Sequence, residues 1–262
     1  MNITAVIIAG NEEKHIAEAI RSVEWVDEVV VIDSESTDRT REIAESMGAF
    51  VITRPWPGFS AQKQFGVEAA SSDWILSLDA DERISPELRD EILNLRNVPM
   101  SLQADGYKIP RLSFYMGRAI RHSGWYPDWQ LRFFDRRKGK WKDVLVHESF
   151  QMKPDAKVEN LKWNILHYST EGAQHHHEMI GKRYAPLAAR QMFLDGKRTS
   201  RLKVMTAGIV SFFSTYFLKL GFLDGLPGFC IARFAGQHAF LKQLILWEIQ
   251  NETNESKDIA VS

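Results

Sequence analysis

Two aspartates, Asp79 and Asp81, follow directly on an apolar run in the segment WILSLDADERI, residues 74–84. An apolar run of this length that stops at turn-forming residues predicts a buried strand. Because side chains alternate between the faces of extended chain, both carboxylates should point the same way. Two like charges this close repel each other, so we expect a positive group beside them. Mg²⁺ and Mn²⁺ are suited to such a place, since they bind through one or two carboxylates and the phosphates of a substrate.

The chain before residue 105 alternates apolar runs with helix-forming segments. It predicts strands at 3–9, 28–33, 49–54 and 74–78, and helices at 14–23, from about 41 to Met47, at 61–70, and from Pro86. Asn11, Ser60 and Ser85 are the predicted N-caps, and Gly48 is the predicted stop of the second helix. Strands and helices that alternate in short steps predict an open parallel α/β sheet.

Polar residues end three of these strands. Asn11, Glu12 and Glu13 follow the first strand, Asp33 ends the second, and the Asp79–Asp81 pair ends the fourth. Ligands of open α/β sheets bind at the carboxyl ends of the strands, and carboxylates accept hydrogen bonds from ribose hydroxyls and base N–H groups. The pattern therefore favours a nucleotide diphosphate. The alternative is an acidic turn in which Asp81 and Glu82 stabilise a helix N-terminus.

Composition and charge narrow the class of protein. The 262 residues are 44% hydrophobic and 26% charged, which is typical of globular domains. The single Cys230 excludes an internal disulfide, and the N-terminal segment has no basic region, so it predicts a core strand and not a signal peptide. Residues 1–105 contain 20 acidic and 9 basic side chains, whereas residues 106–262 contain 14 and 24. This asymmetry suggests two different partners, the alternative being drift of surface charge.

The second half predicts short strands with basic and aromatic loops, and then helices from about residue 170. Seven basic residues between Lys182 and Lys203 lead into VMTAGIVSFFSTYFL, residues 204–218, which carry no charge. Fifteen residues are short of the ~20 that span a bilayer. Basic residues that lead into apolar helices predict a helix pair lying in the membrane interface. The alternative is that these helices pack on the sheet as ordinary core.

Several ordered segments carry a resemblance to a known family. AVIIAGNEEKHIAEAIRSV, VVVIDSESTDRTREIAESMGA and QKQFGVEAASSDWILSLDADE resemble the N-terminal half of family 2 glycosyltransferases of the GT-A fold, over roughly residues 3–85. GWYPDWQLRFFDRRKGKW, VHES, HYST and GFLDGLPGFCIARFAGQHAF are similar to segments of bacterial lipopolysaccharide-core β-glucosyltransferases.

This resemblance implies an α/β fold of GT-A type, a Rossmann-like open mixed sheet flanked by helices, with a C-terminal helical, membrane-associating extension. The implied domains are a catalytic domain at 1–168 and a helical region at 169–262. The nucleotide-binding half of the catalytic domain would be 1–105, and the acceptor half 106–168.

The resemblance also implies roles for individual residues. Asp33 and the backbone near Ala9 and Asn11 would contact the uracil of the donor. Glu12, Glu13 and Asp38 would lie at the same edge, Lys63 would bind the donor, and Asp79 would contact the ribose or the metal. Asp81 would hold the metal on the diphosphate, with His147 as a further metal ligand. His147 and His167 both interrupt apolar stretches, which suggests that one of them completes the metal or diphosphate site. The alternative is a core histidine bonded to backbone.

An inverting transfer needs a general base for the acceptor hydroxyl. Asp128 is the first candidate, because the aromatic residues around it could stack on sugar rings, and burial among them would raise its pKa. The alternative is an ion pair with Arg132, four residues on. Glu148 is the second candidate. The family's usual Glu-Asp pair is replaced here by Pro127-Asp128.

The expected function is inverting, metal-dependent transfer of a hexose, with UDP-glucose as donor and an anionic glycolipid, an inner-core heptose of lipopolysaccharide, as acceptor. The expected place is the cytoplasm, peripheral on the inner face of the cytoplasmic membrane, and no nucleic-acid partner is expected. Another cell-surface polysaccharide or glycolipid pathway is the main alternative. A sugar nucleotidyltransferase is disfavoured, because AGNEEKH stands where a Gly-rich, Arg-containing loop would be, and a carbohydrate-binding module would not need the aspartate pair.

Overall fold

Strands and helices alternate along the first part of the chain in the computed structural model, which describes residues 1–142, 149–168 and 172–261. The chain forms two compact units. One comprises Met1–Leu112 with Pro127–Ser169, and the other Ser113–Tyr126 with Thr170–Ser262. The domain bounds expected from the resemblance stay a prediction.

The first unit begins with the predicted alternation. Its elements are β1 (Ile3–Ala9), α1 (Ile16–Ser22), β2 (Glu28–Asp33), α2 (Thr40–Ser46), β3 (Phe50–Thr53), α3 (Phe59–Ala69) and β4 (Trp74–Asp79). These strands are parallel and lie in the order β3-β2-β1-β4. All seven residues of β1 are buried, because β1 has a strand on each side and is covered on both faces.

The chain continues with mainly antiparallel strands. The further elements are β5 (Glu82–Ile84), α4 (Pro86–Leu95), β6 (Gly106–Tyr115), β7 (Arg118–Ala119), β8 (Asp128–Asp135), β9 (Gly139–Trp141), β10 (Phe150–Met152), β11 (Val158–Asn160) and β12 (Ile165–His167). β9 and β10 form a separate two-stranded sheet, and β11 is parallel to β6. The strand order is β3-β2-β1-β4-β8-β6-β12-β5, and β8 is antiparallel to both of its neighbours. The predicted open mixed sheet flanked by helices is confirmed.

The observed helix starts test the N-caps that were predicted from the sequence. The Ser85 hydroxyl accepts a hydrogen bond from the Leu88 N–H, and Pro86 opens α4, as predicted. The Asn11 cap was wrong, because Asn11 has a φ of +56° and its side chain bonds instead to the loop after β2. The Ser60 cap was also wrong, because α3 begins one residue earlier, at Phe59.

A glycine sets the approach of α3 to the sheet. A Cβ on Gly66 would lie 2.3 Å from Val6 Cγ1 on β1 and 3.1 Å from Ile32 Cγ1 on β2. Only a residue without a side chain allows this contact. Lys63 lies one turn earlier on the same face and is 1% exposed, so the close packing buries it beneath the helix.

The second unit is mainly helical. It contains α5 (Ala173–Met179), a π-helical segment (Ile180–Tyr184), α6 (Ala185–Leu194), α7 (Arg201–Phe213), a second π-helical segment (Ser214–Leu218), a 3₁₀ turn (Gly221–Asp224) and α8 (Leu226–Val261). The buried Asp224 accepts hydrogen bonds from the backbone N–H groups of Arg121 and His122, which joins the 3₁₀ turn to the segment after β7. Within the described residues, no helix is both long enough and apolar enough to cross a bilayer.

Candidate active site

The strand register brings the predicted polar strand ends to one edge of the sheet. Ala9 on β1 pairs with Asp33 on β2, and Ile8 on β1 pairs with Asp79 on β4. The carboxyl ends of three neighbouring parallel strands therefore lie side by side, where ligands of such sheets bind.

Asp33 is fully buried at this edge, and one of its oxygens has no hydrogen-bond partner among the described residues. Oδ2 accepts a hydrogen bond of 3.0 Å from the Ser36 N–H and lies 3.8 Å from Arg41 Nε. Oδ1 is buried and accepts no hydrogen bond from the described part of the chain. A buried acceptor without a donor costs free energy, so a donor supplied by a ligand would be favoured here.

Residues after β1 interlock with the loop after β2. The Glu12 N–H donates to the Thr40 hydroxyl, and the Glu13 N–H donates to Asp38 Oδ2 at 3.0 Å. Asn11 Oδ1 accepts from a backbone N–H of the same loop. Burial alone raises the pKa of Asp38, but hydrogen bonds from Thr40 and from the Glu13 N–H outweigh it and hold that pKa below its ordinary value. These residues fix the two loops to each other beside Asp33.

The chain itself supplies positive charge at Asp79. Lys63 Nζ lies 2.9 Å from Asp79 Oδ1, and Arg132 Nη2 lies 2.9 Å from Asp79 Oδ2. Burial alone raises the pKa of Asp79, but the two cations outweigh it and hold the pKa far below its usual range. Asp79 is therefore ionised, with both oxygens engaged by cations.

Glu82 extends these contacts into a network of charges. It is fully buried in β5, not at a helix N-terminus as the acidic-turn alternative supposed. Its Oε1 accepts from Arg132 and from Arg111, both at 3.1 Å, and its Oε2 accepts from the Asp79 N–H at 3.0 Å. Arg111 donates onward to Asp128.

Asp128 pairs with Arg111 and not with Arg132. Residues 128–135 form a strand, and residues four apart along a strand are roughly 13 Å apart, too far for an ion pair. Arg111 lies directly opposite Asp128 in the β6–β8 ladder and donates to its Oδ2 at 2.6 and 2.9 Å. Gln130 donates to Oδ1 at 2.7 Å, and the carboxylate is 35% exposed. Solvent therefore reaches this carboxylate.

Asp81 lies beside a histidine. His167 on β12 is opposite Glu82 on β5, which brings its Nε2 to 3.3 Å from Asp81 Oδ2. A carboxylate and an imidazole are both suitable metal donors, and two protein ligands leave positions for diphosphate oxygens. Among residues 1–142, 149–168 and 172–261, no three His, Cys, Asp or Glu side chains gather as a ready metal site. His147 and Glu148 lie outside the described residues.

Comparison with known proteins identifies the family. The model of the family described as glycosyl transferase family 2 matches residues 4–154. The chain belongs to glycosyltransferase family 2. An uncharacterised glycosyltransferase of Rickettsia bellii (strain RML369-C) is 32% identical to this enzyme, over 96% of the chain and 88% of that protein.

This family 2 glycosyltransferase is also similar to two further known proteins. The lipopolysaccharide core biosynthesis glycosyltransferase LpsC of Rhizobium meliloti is 29% identical, over 91% of the chain and 89% of that protein. The crystal structure of glucosyl-3-phosphoglycerate synthase from Mycobacterium tuberculosis, with Mn²⁺, UDP and glucosyl-3-phosphoglycerate, is 28% identical over 44% of each chain, with a TM-score of 0.36.

Three charged residues of the glycosyltransferase site have a role that the sequence motifs did not predict. Glu82, Arg111 and Arg132 connect Asp79 to Asp128 through a chain of ion pairs. The available signal was an arginine inside each strand-like run, since Arg111 interrupts IPRLSF and Arg132 interrupts WQLRFF. Such interruptions of an apolar strand favour a buried, paired charge.

Proposed function

We propose that this glycosyltransferase transfers a hexose from a UDP-hexose, with glucose as the leading sugar, to a membrane glycolipid. The observation that carries the nucleotide assignment is the unpaired, fully buried Oδ1 of Asp33 at the carboxyl edge of the sheet. The N3–H of uracil is a donor of the kind that this oxygen lacks. The similarity to LpsC, a lipopolysaccharide core biosynthesis glycosyltransferase, supports an acceptor in the lipopolysaccharide core, with an inner-core heptose as the proposed sugar.

The diphosphate of the donor would be held next to Asp81 and His167, whose 3.3 Å contact suits one Mg²⁺ or Mn²⁺ ion. His147 stays a candidate ligand. When bound, such an ion neutralises charge that develops on the departing UDP. Asp79 would accept from a ribose hydroxyl while Lys63 and Arg132 keep it ionised.

For the acceptor, Asp128 is the proposed general base. It would take the proton of the attacking hydroxyl as that oxygen bonds to C1 of the hexose, while the bond from C1 to UDP breaks and leaves its electrons on the diphosphate. Attack from the face opposite UDP inverts C1. Arg111 donates to Oδ2 of Asp128 and so orients this carboxylate. Glu148 is the second candidate.

The helical unit is proposed to bring the enzyme to a membrane, on the cytoplasmic face of the inner membrane. Large apolar side chains on α7 and the turn after it are exposed, among them Met205 at 72% and Leu218 at 82%. Residues 172–252 contain ten basic and five acidic side chains. An apolar helix face with basic residues beside it is suited to an anionic bilayer surface. The enzyme should co-sediment with phosphatidylglycerol vesicles at low salt and be released at high salt.

The donor assignment is tested without an acceptor. Purified full-length enzyme with Mg²⁺ should slowly release UDP from UDP-glucose, and faster than from UDP-galactose or UDP-N-acetylglucosamine. Asp33→Asn should weaken UDP binding by ~10-fold, since a hydrogen bond to a charged group is lost. Asp90→Asn, an exposed carboxylate on α4, is the matched control. Unchanged UDP affinity in Asp33→Asn would overturn the proposal. So would formation of UTP and glucose 1-phosphate from UDP-glucose and added pyrophosphate, without release of UDP.

A further inference from the structure

A groove lies between α7 and α8 within the second unit. It has a volume of about 460 Å³, which is in the size range of small-molecule sites. Met205, Ile209 and Phe213 from α7 and Phe240 from α8 line it. All four are more than 40% exposed, so the groove is part of the apolar face that is proposed to meet the membrane.

Two glycines form the middle of the groove. A Cβ on Gly208 would lie 3.1 Å from the Gly236 carbonyl oxygen, and a Cβ on Gly236 would lie 2.8 Å from the Gly208 carbonyl oxygen. The two helix backbones therefore approach closely, and no side chain at these positions fills the space. Because backbone contact sets the depth of the groove, its shape does not depend on flexible side chains.

Arg233 is the one charged side chain among the residues that line the groove. It is exposed and makes no hydrogen bond or ion pair within the described ranges. Two other cations of this unit are paired, since Lys182 contacts Glu178 and Lys197 contacts Asp195. An unpaired guanidinium at an apolar groove is suited to a ligand with an acyl chain and an anionic oxygen group.

We propose that this groove binds one anionic phospholipid, with an acyl chain between α7 and α8 and its phosphate at Arg233. The inference rests on the proposed membrane association and adds a specific lipid site to it. Charge argues for a lipid over a second copy of the chain. A symmetric dimer through this face would bring together two Arg233 side chains and two helical units of net positive charge.

A lipid that stays monomeric distinguishes binding in this groove from general binding of the protein to a bilayer surface. Dihexanoyl phosphatidylglycerol below its micelle concentration should bind the full chain at one per protein in calorimetry, whereas glycerophosphoglycerol, which has no acyl chains, should not bind. Arg233→Gln should weaken binding by ~10-fold. Arg190→Gln removes an equal charge from the exposed face of α6 and should leave the affinity unchanged.

A second pair of variants separates the groove from the apolar face as a whole. Ile209→Trp should fill the groove and abolish binding of the monomeric lipid while vesicle binding persists. Leu202 is also exposed on α7 but lies outside the groove, so Leu202→Trp should affect neither.

Three results would overturn the lipid site: equal affinities in wild type and Arg233→Gln, binding of the headgroup alone, or a lipid-free dimer in sedimentation that Ile209→Trp dissociates. If the protein fails to bind vesicles but still binds the monomeric lipid, only the proposed membrane-binding surface is overturned. UDP release tests the proposed enzymatic activity separately.

Discussion

Replacing Glu82 by Gln should destabilise the first unit more than neutralising any exposed charged residue. Glu82 is fully buried and accepts hydrogen bonds from Arg111, Arg132 and the Asp79 N–H. Three cations and three carboxylates are connected here, so the neutral amide leaves one positive charge without compensation. The amide also presents an NH₂ group to a neighbour that is itself a donor.

The expected cost follows from burial. Removing one partner of a buried ion pair costs roughly 3–5 kcal/mol, because an uncompensated charge stays in a poorly solvated place. We expect a loss of about 3 kcal/mol for Glu82→Gln, which lowers the melting temperature by roughly 6–12 °C for a domain of this size.

Denaturant unfolding followed by circular dichroism would measure this change. Glu42→Gln is the control, because Glu42 forms an exposed pair with Arg39 and its loss should have little effect. The double variant Glu82→Gln with Arg111→Gln should recover part of the loss, since it restores the balance of charge. If Glu82→Gln unfolds within about 1 kcal/mol of wild type, the buried network does not stabilise the fold and the reasoning fails.

Three further predictions concern the site and the helical unit. Asp81→Asn should abolish metal-dependent UDP release with the melting temperature preserved, and near-normal turnover would exclude it as a metal ligand. Asp128→Asn should lower kcat by roughly 10²–10⁴-fold with UDP affinity unchanged, and the same pattern in Glu148→Gln instead would move the base to that residue. Burial, with a contribution from His175, lowers the pKa of His176 to about 4. Between pH ~6.5 and 4 the unfolded chain therefore binds more protons than the folded chain, so stability should fall as the pH drops through that range. His176→Phe should flatten the dependence of the melting temperature on pH, measured in thermal melts.

The parallel part of the sheet was predictable because its signals are local. Apolar runs at β2 and β4 define strands whose carboxyl ends carry Asp33 and Asp79. Parallel pairing then brings these ends together, so the edge that holds the candidate donor site followed from sequence. The Ser85–Pro86 start of α4 is local too, and it was confirmed.

The contacts of Asp128 were not predictable, because they depend on pairing between distant segments. Arg111 lies opposite Asp128 only through the β6–β8 register, which shifts at a bulge near Tyr107. Spacing along the chain pointed to Arg132 instead, and that pairing presupposes a helix. Asn11 failed as a cap for a similar reason, since the loop after β2 offers its side chain a backbone donor.

Gly66 has no charge and contacts no charged group. Its packing nevertheless sets the distance between the Lys63 ammonium and the Asp79 carboxylate. Because α3 is in contact with β1 at Gly66, a methyl group there would displace the helix, and with it Lys63, from Asp79. Attraction between charges falls with distance, so Gly66→Ala should resemble the loss of a lysine more than the loss of a packing contact. Its natural suppressor would be Val6→Ala, which removes the methyl group that the new Cβ meets. A position that looks like simple packing is thereby coupled, through one turn of helix, to the charge state of the donor site.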